Sequence, residues 1–290
     1  MSIVVFGATG NLGRLVVRDL LSRGVAAHDI RASGRSVGRL TEFADQGVEI
    51  LAVDYEDPAT IDSALDGAEK VLLISGSDLS KRAEQHRRVI DSVKRHGVGQ
   101  LVYTSVLRAT ETTLAIGPDH VATEKHILES GLPYTLLRNG WYTENYAGSV
   151  LGAAQSGVIL GSAGQGKISS AARADFAEAA AVVLTTPGHE GKTYELGGHP
   201  DWTLPELAEV TSELLGRSVV YRDLTSEEHR KALEEAGMAD AADFAVGLDA
   251  DTKAGQLFTE SQDLQRLLGH PSTPLIDALR PIAEQAASQH

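Results

Sequence analysis

With 290 residues, 42% of them hydrophobic and 23% charged, the chain is long enough to bury a substantial core as one large or two modest domains. Its 26 Lys and Arg against 40 Asp and Glu give a net charge of −14, which disfavours nucleic acid and anionic membrane surfaces as partners. Cysteine is absent, which excludes disulfides, thiolate metal sites and thiol redox switches. No apolar run approaches the roughly 20 residues that span a bilayer. The glycine-rich stretch at residue 7 leaves no room for a leader before it, so the expectation is a cytoplasmic protein.

In chain order, short apolar runs at 3–6, 29–33, 49–53, 70–75, 100–105 and 134–138 predict six strands. They are apolar on both faces rather than alternating, as in a parallel sheet covered by helices on each side. Helical patterns at 12–22, 37–46, 60–65, 82–96 and 121–130 lie between them. The alternation predicts an α/β fold with a doubly wound parallel sheet over residues 1–150. Beyond Trp141 the rhythm changes, and the stretch LGAAQSGVILGSAGQGKISS (151–170) reads as a loop region crossing between domains. A helix is expected at 172–184, returning to the first domain, with short strands at 192–196 and 219–222. Thr203 and Glu206, then Thr225 and Glu228, have capping-box spacing at two further helix starts. Residues 151–290 are thus expected to form a smaller, mostly helical substrate-side domain, with Glu227, Glu228, Glu234, Glu235, Asp240 and Asp243 as a solvated face.

The motif that carries chemistry is GATGNLG, in which Gly7, Gly10 and Gly13 follow the first strand and open the first helix. Small residues there permit a tight turn, let backbone approach a pyrophosphate and let helix pack on strand. The helix N-terminus offers unpaired N–H groups and a partial positive charge. A tight turn without a ligand is the structural alternative. The end of the second strand reads RASGRSVGRL, with no acid for a ribose 2′-hydroxyl but with Arg35 at the turn and Arg39 beyond it. An arginine there suits a 2′-phosphate, which predicts NADP(H) over NAD(H).

The segments DYEDPATIDSAL, GAEKVLLISGS, GVGQLVYTSVL, HVATEKHILESGLPYTLLRNGWYTENY and ARADFAEAAAVVL, together with the glycine turn, resemble the NmrA-like group of atypical short-chain dehydrogenases/reductases. Within that group the chain is most similar to bacterial NAD(P)H:quinone oxidoreductase type 2 proteins, then to triphenylmethane-dye reductases. The resemblance covers nearly the whole chain. It implies an NAD(P)-binding Rossmann domain in which Gly7, Thr9, Gly10, Asn11, Leu12 and Gly13 line the pyrophosphate. It further implies Arg35 at the 2′-phosphate, Ser75, Gly76 and Ser77 at the ribose, and Asn139, Gly140, Trp141 and Tyr142 around the nicotinamide. Asp54 and Tyr55 are expected at the adenine or, for Asp54, as a helix cap.

Ordinary short-chain dehydrogenases use Tyr-x-x-x-Lys; here Lys125 is preceded four residues earlier by Val121, so the phenolic acid for alcohol–ketone chemistry is missing. A quinone accepts hydride without a precisely placed acid, and positioning then carries most of the catalysis. Lys125 and Tyr142 are the candidate catalytic residues: Lys125 to steady the ribose, which also makes it a cofactor residue, or to polarise a quinone oxygen; Tyr142, with Trp141, as a platform for a planar acceptor to which Tyr146 adds apolar surface. His120 and His126 show no metal-ligand spacing, and neither a metal nor a flavin is expected. The expected activity is NADPH-dependent reduction of a quinone; the alternatives are a non-catalytic NADP(H)-sensing regulator and a reductase of triphenylmethane-type dyes. Oligomeric state is not readable from the sequence.

Overall fold

Ile3–Phe6 (β1) is buried at all four positions because its two faces feed two different cores. Ile3 and Val5 join the cluster under one helical layer, and Val4 and Phe6 the cluster under the other, the period of two that a strand imposes. This is a computed structural model, which describes residues 2–287. Around β1 run β2 (Ile30–Gly34), β3 (Glu49–Ala52), β4 (Lys70–Leu73), β5 (Gln100–Val106) and β6 (Tyr134–Asn139); β7 (Val158–Gly161) and β9 (Val220–Asp223) form a separate pair, and β8 (Lys192–Leu196) closes the main sheet. The sheet is parallel throughout, in the order β3-β2-β1-β4-β5-β6-β8. The strand order therefore reverses between β1 and β4, and the carboxyl ends of those two strands face the crevice where such sheets bind ligands.

One face of the sheet is covered by α1 (Asn11–Ser22), with Val16, Val17 and Leu20 buried on it. The connection after β2 is a single 3-10 turn and the four-residue helix α2 (Thr41–Ala44), not the continuous helix that residues 37–46 suggested. Gly38 weakens a helix there, and only Leu40 and Phe43 anchor the segment in the core. The other face carries α3 (Pro58–Leu65), α4 (Arg82–Arg95) and α5 (Gly117–Ser130), packed through Ile61, Leu65, Val89, Val93 and Ile127.

The segment expected to be a loop beyond residue 150 instead continues α6 (Ala147–Ser156) and then forms β7. Its glycines disguise this. Val150 and Ala153 are buried in a third core, Gly157 ends the helix at φ +73°, and β7 is completed only by pairing with β9, far along the chain. α7 (Arg173–Thr185) and β8 belong to the large sheet layer, α7 packing on α1. The smaller lobe continues with α8 (Leu204–Leu215) and α9 (Ser226–Glu235), each opened by the capping box read from the sequence. α10 (Ala239–Lys253) pairs with α9 as a helical hairpin, α11 (Asp263–Leu268) returns to α7, and α12 (Leu275–Ala287) packs on α6 and α8. The six acidic side chains of 227–243 are exposed, as expected. Among the described residues no helix is long and apolar enough to cross a membrane.

The sheet and the helix in front of it are pinned where β5, β6, β8 and α5 meet. Arg138 on β6 makes a bidentate pair with Glu124 of α5 at 2.9 and 2.6 Å and reaches Glu195 of β8 at 2.8 Å. Glu124 also accepts from Ser105 Oγ at 2.6 Å, and Glu195 from the Arg108 N–H at 2.7 Å. With the Glu124 side chain 4% exposed, removing its cation would strand a buried carboxylate. Arg138→Ala is expected to lower the unfolding free energy by roughly 3–5 kcal/mol, read from urea midpoints; a loss under 1 kcal/mol would show that the network relaxes without its centre.

The α1–α7 contact carries a pH-dependent weakness. Burial, and then the charge of Glu178 on α7, push the Asp19 carboxyl up to about 6, with Arg18 and Arg23 opposing them. Because the folded value lies above the ordinary one near 3.9, the folded state holds this proton more tightly, and stability from this group falls as pH rises from about 4 to 6. Asp19→Asn should therefore melt higher than the parent protein at pH 7, with the gap closing below pH 4, in thermal scans across that range.

Candidate active site

At the carboxyl end of β1 the three glycines do three different things. Gly7 sits at φ +85°, where a side chain is strained. Gly13 must lack a side chain because a Cβ would stand 2.4 Å from Gly7 O and 2.6 Å from Ala8 Cα, so it brings helix against strand. Gly10 has ordinary backbone, φ −78° and ψ 170°, and a Cβ there would meet only Gly7 O at 3.3 Å. The fold thus demands Gly7 and Gly13 more than Gly10. No side chain caps α1, whose first N–H groups are left for a ligand.

The turn opens into a cavity of about 210 Å³ lined by Gly7, Thr9 and Gly10, by Arg35 from the end of β2, by Asp54 and Tyr55 after β3, and by Ser75, Gly76 and Ser77 after β4. Arg35 is exposed at its rim, and among the described residues no carboxylate pairs with it; Arg39 lines no part of the cavity. Asp54 Oδ1 accepts the Glu56 N–H at 3.0 Å, which closes the turn after β3, and Tyr55 packs edge-on to Phe6 with ring centroids 6.0 Å apart. Asn11, Leu12 and Gly13 are not among the residues lining this cavity; the Leu12 side chain is core.

Ser75 is shared with an adjoining cavity of about 140 Å³, lined by Asn139, Gly140, Trp141 and Tyr142 at the end of β6 and by Arg82, Ser105 and His120. Asn139 is buried, its Nδ2 lies 3.5 Å from Tyr142 Oη, and its Oδ1 has no partner. A buried acceptor left unmatched calls for a donor from outside the chain. Tyr142 lies against Phe176 and beneath the Arg173 guanidinium, 4.9 Å from the ring centroid. Burial pushes its phenol up, so it stays protonated.

Sequence reading missed the polar cluster behind this cavity. Arg82, 7% exposed, donates from Nε to Gly76 O at 2.6 Å. His86 Nε2 accepts the Gly76 N–H at 3.0 Å, which leaves the proton on Nδ1, 3.0 Å from Thr123 Oγ1. His120 reaches Tyr103 Oη from Nδ1 at 2.8 Å and Arg82 from Nε2 at 3.5 Å. Burial first, and then the neighbouring cation, push both imidazoles down to about 3; for His86 the His120 ring acts as well. Both histidines are neutral at pH 7, and Arg82 supplies the fixed positive charge.

Lys125 does not reach either cavity. Its side chain is 73% exposed and lies 3.8 Å from Glu129. The helix begins at Gly117 rather than at residue 121, and His120, Thr123, Glu124 and Ile127 form its buried stripe. Lys125 falls on the opposite face, and His120 takes the place beside the cavity expected for the lysine. That stripe has the i, i+3, i+4, i+7 spacing of a buried helix face and was present in the sequence. His126 is likewise outward, paired with Asp91 at 2.7 Å.

Trp141 stands at a junction. It lines the 140 Å³ cavity, an apolar one of about 310 Å³ against α10, and a third of about 970 Å³ between α6, α9 and α10. Three cavities thus adjoin in series, from the glycine turn, past Asn139, to a large hydrophobic space, sharing Ser75 and then Trp141 and Asn145 as lining.

Comparison with known proteins agrees with this layout. The NAD(P)H-binding family model matches residues 7–187. The chain belongs to this family and to its NmrA-like branch. It is 44% identical to quinone oxidoreductase 2 of Escherichia coli over 96% of this chain and 97% of that protein. An NmrA-like oxidoreductase of Aspergillus flavus is 29% identical over 97% and 94%. The crystal structure of the Escherichia coli NADPH-dependent quinone oxidoreductase complexed with NADPH superposes with a TM-score of 0.90 at 43% identity, covering 99% of both chains. The Citrobacter triphenylmethane reductase complexed with NADP(H) gives 0.90 at 38%, covering 98% of this chain and all of that one.

The residues present fit a nicotinamide dinucleotide: an uncapped helix N-terminus, bare backbone at Gly10, and an orphaned acceptor at Asn139. Gly10→Ala is expected to stay folded, melting within a few degrees of the parent, while NADPH affinity measured by titration falls at least tenfold. Gly13→Ala should instead lower the melting temperature clearly. If Gly10→Ala binds NADPH normally, the ligand does not approach at that backbone.

Proposed function

We propose that this protein is an NADPH-dependent reductase that delivers a hydride to a quinone-type acceptor. The observation that carries the reading is the series of adjoining cavities from the glycine turn past Asn139 to Trp141, the last an apolar chamber large enough for a second reactant. The 44% identity to a quinone oxidoreductase supports the acceptor class.

In this reading the N–H groups at Asn11 and Leu12 would hold the pyrophosphate over the bare backbone of Gly10, whose own N–H closes the turn onto Gly7 O at 3.0 Å, with Gly7 and Thr9 shaping the turn and Gly13 seating the helix. Arg35 takes the 2′-phosphate, and Ser75, Gly76 and Ser77 face the ribose. Asn139 Oδ1 accepts from the nicotinamide carboxamide, with Gly140, Trp141 and Tyr142 around the ring. When bound, NADPH supplies a hydride, the two electrons and one proton that convert a quinone to a hydroquinone anion. Arg82 stabilises negative charge on the acceptor oxygen, and water supplies the second proton. Trp141 aligns the acceptor, and the neutral Tyr142 steadies Asn139. Neither Lys125 nor residue 121 carries a proton, so positioning and electrostatics supply the catalysis. The setting on this reading is the cytoplasm.

Reduction of a triphenylmethane-type dye is a second reading, favoured by the likeness to the Citrobacter reductase and by a chamber that would take three aryl rings.

The purified protein with NADPH and 1,4-benzoquinone should consume nicotinamide absorbance without added flavin and in the presence of a chelator. Binding of NADPH without turnover of any quinone or dye would instead mark a sensor. Hydrogen bonds to charged groups contribute about 1.5–3 kcal/mol, so Arg35→Ala should weaken NADPH roughly ten- to 150-fold and leave NADH nearly unchanged. Equal losses for both would place the 2′-phosphate elsewhere.

A further inference from the structure

His229 and Asp249 line the 970 Å³ chamber, outside the groove assigned to the dinucleotide, and meet Ser162 just behind its wall. His229 comes from α9, Asp249 from α10, and Ser162 directly follows β7. Asp249 Oδ2 accepts the Ser162 N–H at 2.6 Å and lies 3.3 Å from Ser162 Oγ and 3.2 Å from His229 Nδ1; Ser162 Oγ is 3.1 Å from the same nitrogen. His229 is 6% exposed and Ser162 7%.

The residue types are those of a hydrolytic triad, but the connections are not. Serine and carboxylate converge on one imidazole nitrogen, so no base stands opposite the carboxylate to take the serine proton. What the arrangement leaves available is Nε2. Ser162 Oγ donates to Asp249 Oδ2, so its lone pair takes the Nδ1–H of His229, and in that tautomer the ring carries its free lone pair on Nε2. Among the described residues no hydrogen bond to Nε2 is formed, and His229 lines the chamber. An oriented acceptor on the wall of an apolar space is a recognition group for a donor on the ligand.

Most of the chamber's lining is apolar and suits a flat, apolar body, with Arg222, Asn145, Ser149 and Ser156 as its other polar members. Trp141, Tyr146 and Phe244 supply ring surface, and Leu160, Met238 and Phe244 remain 42%, 48% and 51% exposed at its walls. A volume of about 970 Å³ is at the upper end of the range for drug-sized ligands, far beyond one quinone ring. Trp141 and Asn145 join it to the nicotinamide end of the groove.

We propose that the acceptor is an extended aryl quinone with a hydroxyl at the end away from the reduced ring, and that this hydroxyl donates to His229 Nε2. The inference rests on the quinone reading above. His229 acts as a specificity residue: it sets how tightly the acceptor is held and takes no part in the electron transfer.

The test uses the purified protein with NADPH and three probes of nearly equal size, 2-(4-hydroxyphenyl)-, 2-(4-methoxyphenyl)- and 2-phenyl-1,4-benzoquinone. The hydroxyphenyl probe is expected to show a KM roughly tenfold below the other two, the scale of one neutral hydrogen bond. The preference should vanish in His229→Leu, checked for folding by circular dichroism. It should survive in part in His229→Gln, whose amide oxygen also accepts; that variant carries the test should the leucine fail to fold. Equal KM for all three probes in the parent protein overturns the inference and leaves the quinone reading standing. So does a preference that persists in His229→Leu, or a methoxy probe that matches the hydroxy one. An enzyme inert to every probe and to 1,4-benzoquinone, yet binding NADPH, removes the quinone reading and this inference with it.

Discussion

The ion pairs of Arg138 hold the working end of the molecule in register. One guanidinium on β6 joins the helix in front of the sheet through Glu124 and the next strand through Glu195, and both carboxylates bond to the end of β5 or the residues that follow it. Asn139 is the next residue, so its position at the groove inherits the rigidity of that clamp. The same pairing sets the rotation of α5 and turns His120 inward. A buried charged network is a weak source of net stability, because desolvation offsets most of the attraction. Its value here is geometric. Apolar packing alone would tolerate small slips of α5 over the sheet, and a slip would displace the imidazole from the cavity wall.

Polar groups around the cavity at Asn139 follow one electrostatic logic. His86 and His120 are kept neutral by burial and by Arg82, and Tyr142 keeps its phenolic proton. Arg82 is then the fixed charge of the site, held by Gly76 O and edged by Asp119 at 3.9 Å. Positive potential without a strong acid suits an acceptor that gains negative charge and can draw its proton from water. A carbonyl that must be protonated as hydride arrives would need the phenol that residue 121 lacks. Arg82 and His86 also bracket the peptide of Gly76, so the group that tunes the charge also shapes the loop after β4.

The smaller lobe supplies most of the apolar chamber that adjoins the groove. α9 and α10 pack chiefly on each other, and the bonds among Ser162, His229 and Asp249 fasten that hairpin to the end of β7. A hairpin with few other attachments can vary in sequence without disturbing the sheet, which is where acceptor preference can diverge among members of one family. Trp141 belongs to both regions, since it ends the β6 segment and walls the chamber.

Local pattern determined the large lobe. Doubly apolar runs and intervening helical periods specified a parallel sheet, because each strand had to be buried on both faces. The glycine turn and Arg35 were legible for the same reason: a left-handed φ, a close helix–strand contact and an unpaired cation are demands made within a few residues. Both capping boxes were equally local. The overall resemblance of the chain carried Ser75, Gly76, Ser77 and the stretch from Asn139 to Tyr142 to the groove. Only the tertiary structure decided which face of α5 looks inward, because that depends on Arg138 finding Glu124 across the sheet. Lys125 was therefore read inward, while Arg82 and His86 went unseen and His120 was weighed only as a metal ligand: the three come from two helices separated in sequence and meet only after β4 and β5 pair. Likewise 151–170 looked like loop, since β7 has no partner until β9 arrives some sixty residues later. The meeting of Ser162, His229 and Asp249 depends on that same pairing and on the α9–α10 hairpin, so no spacing within the chain could have announced it.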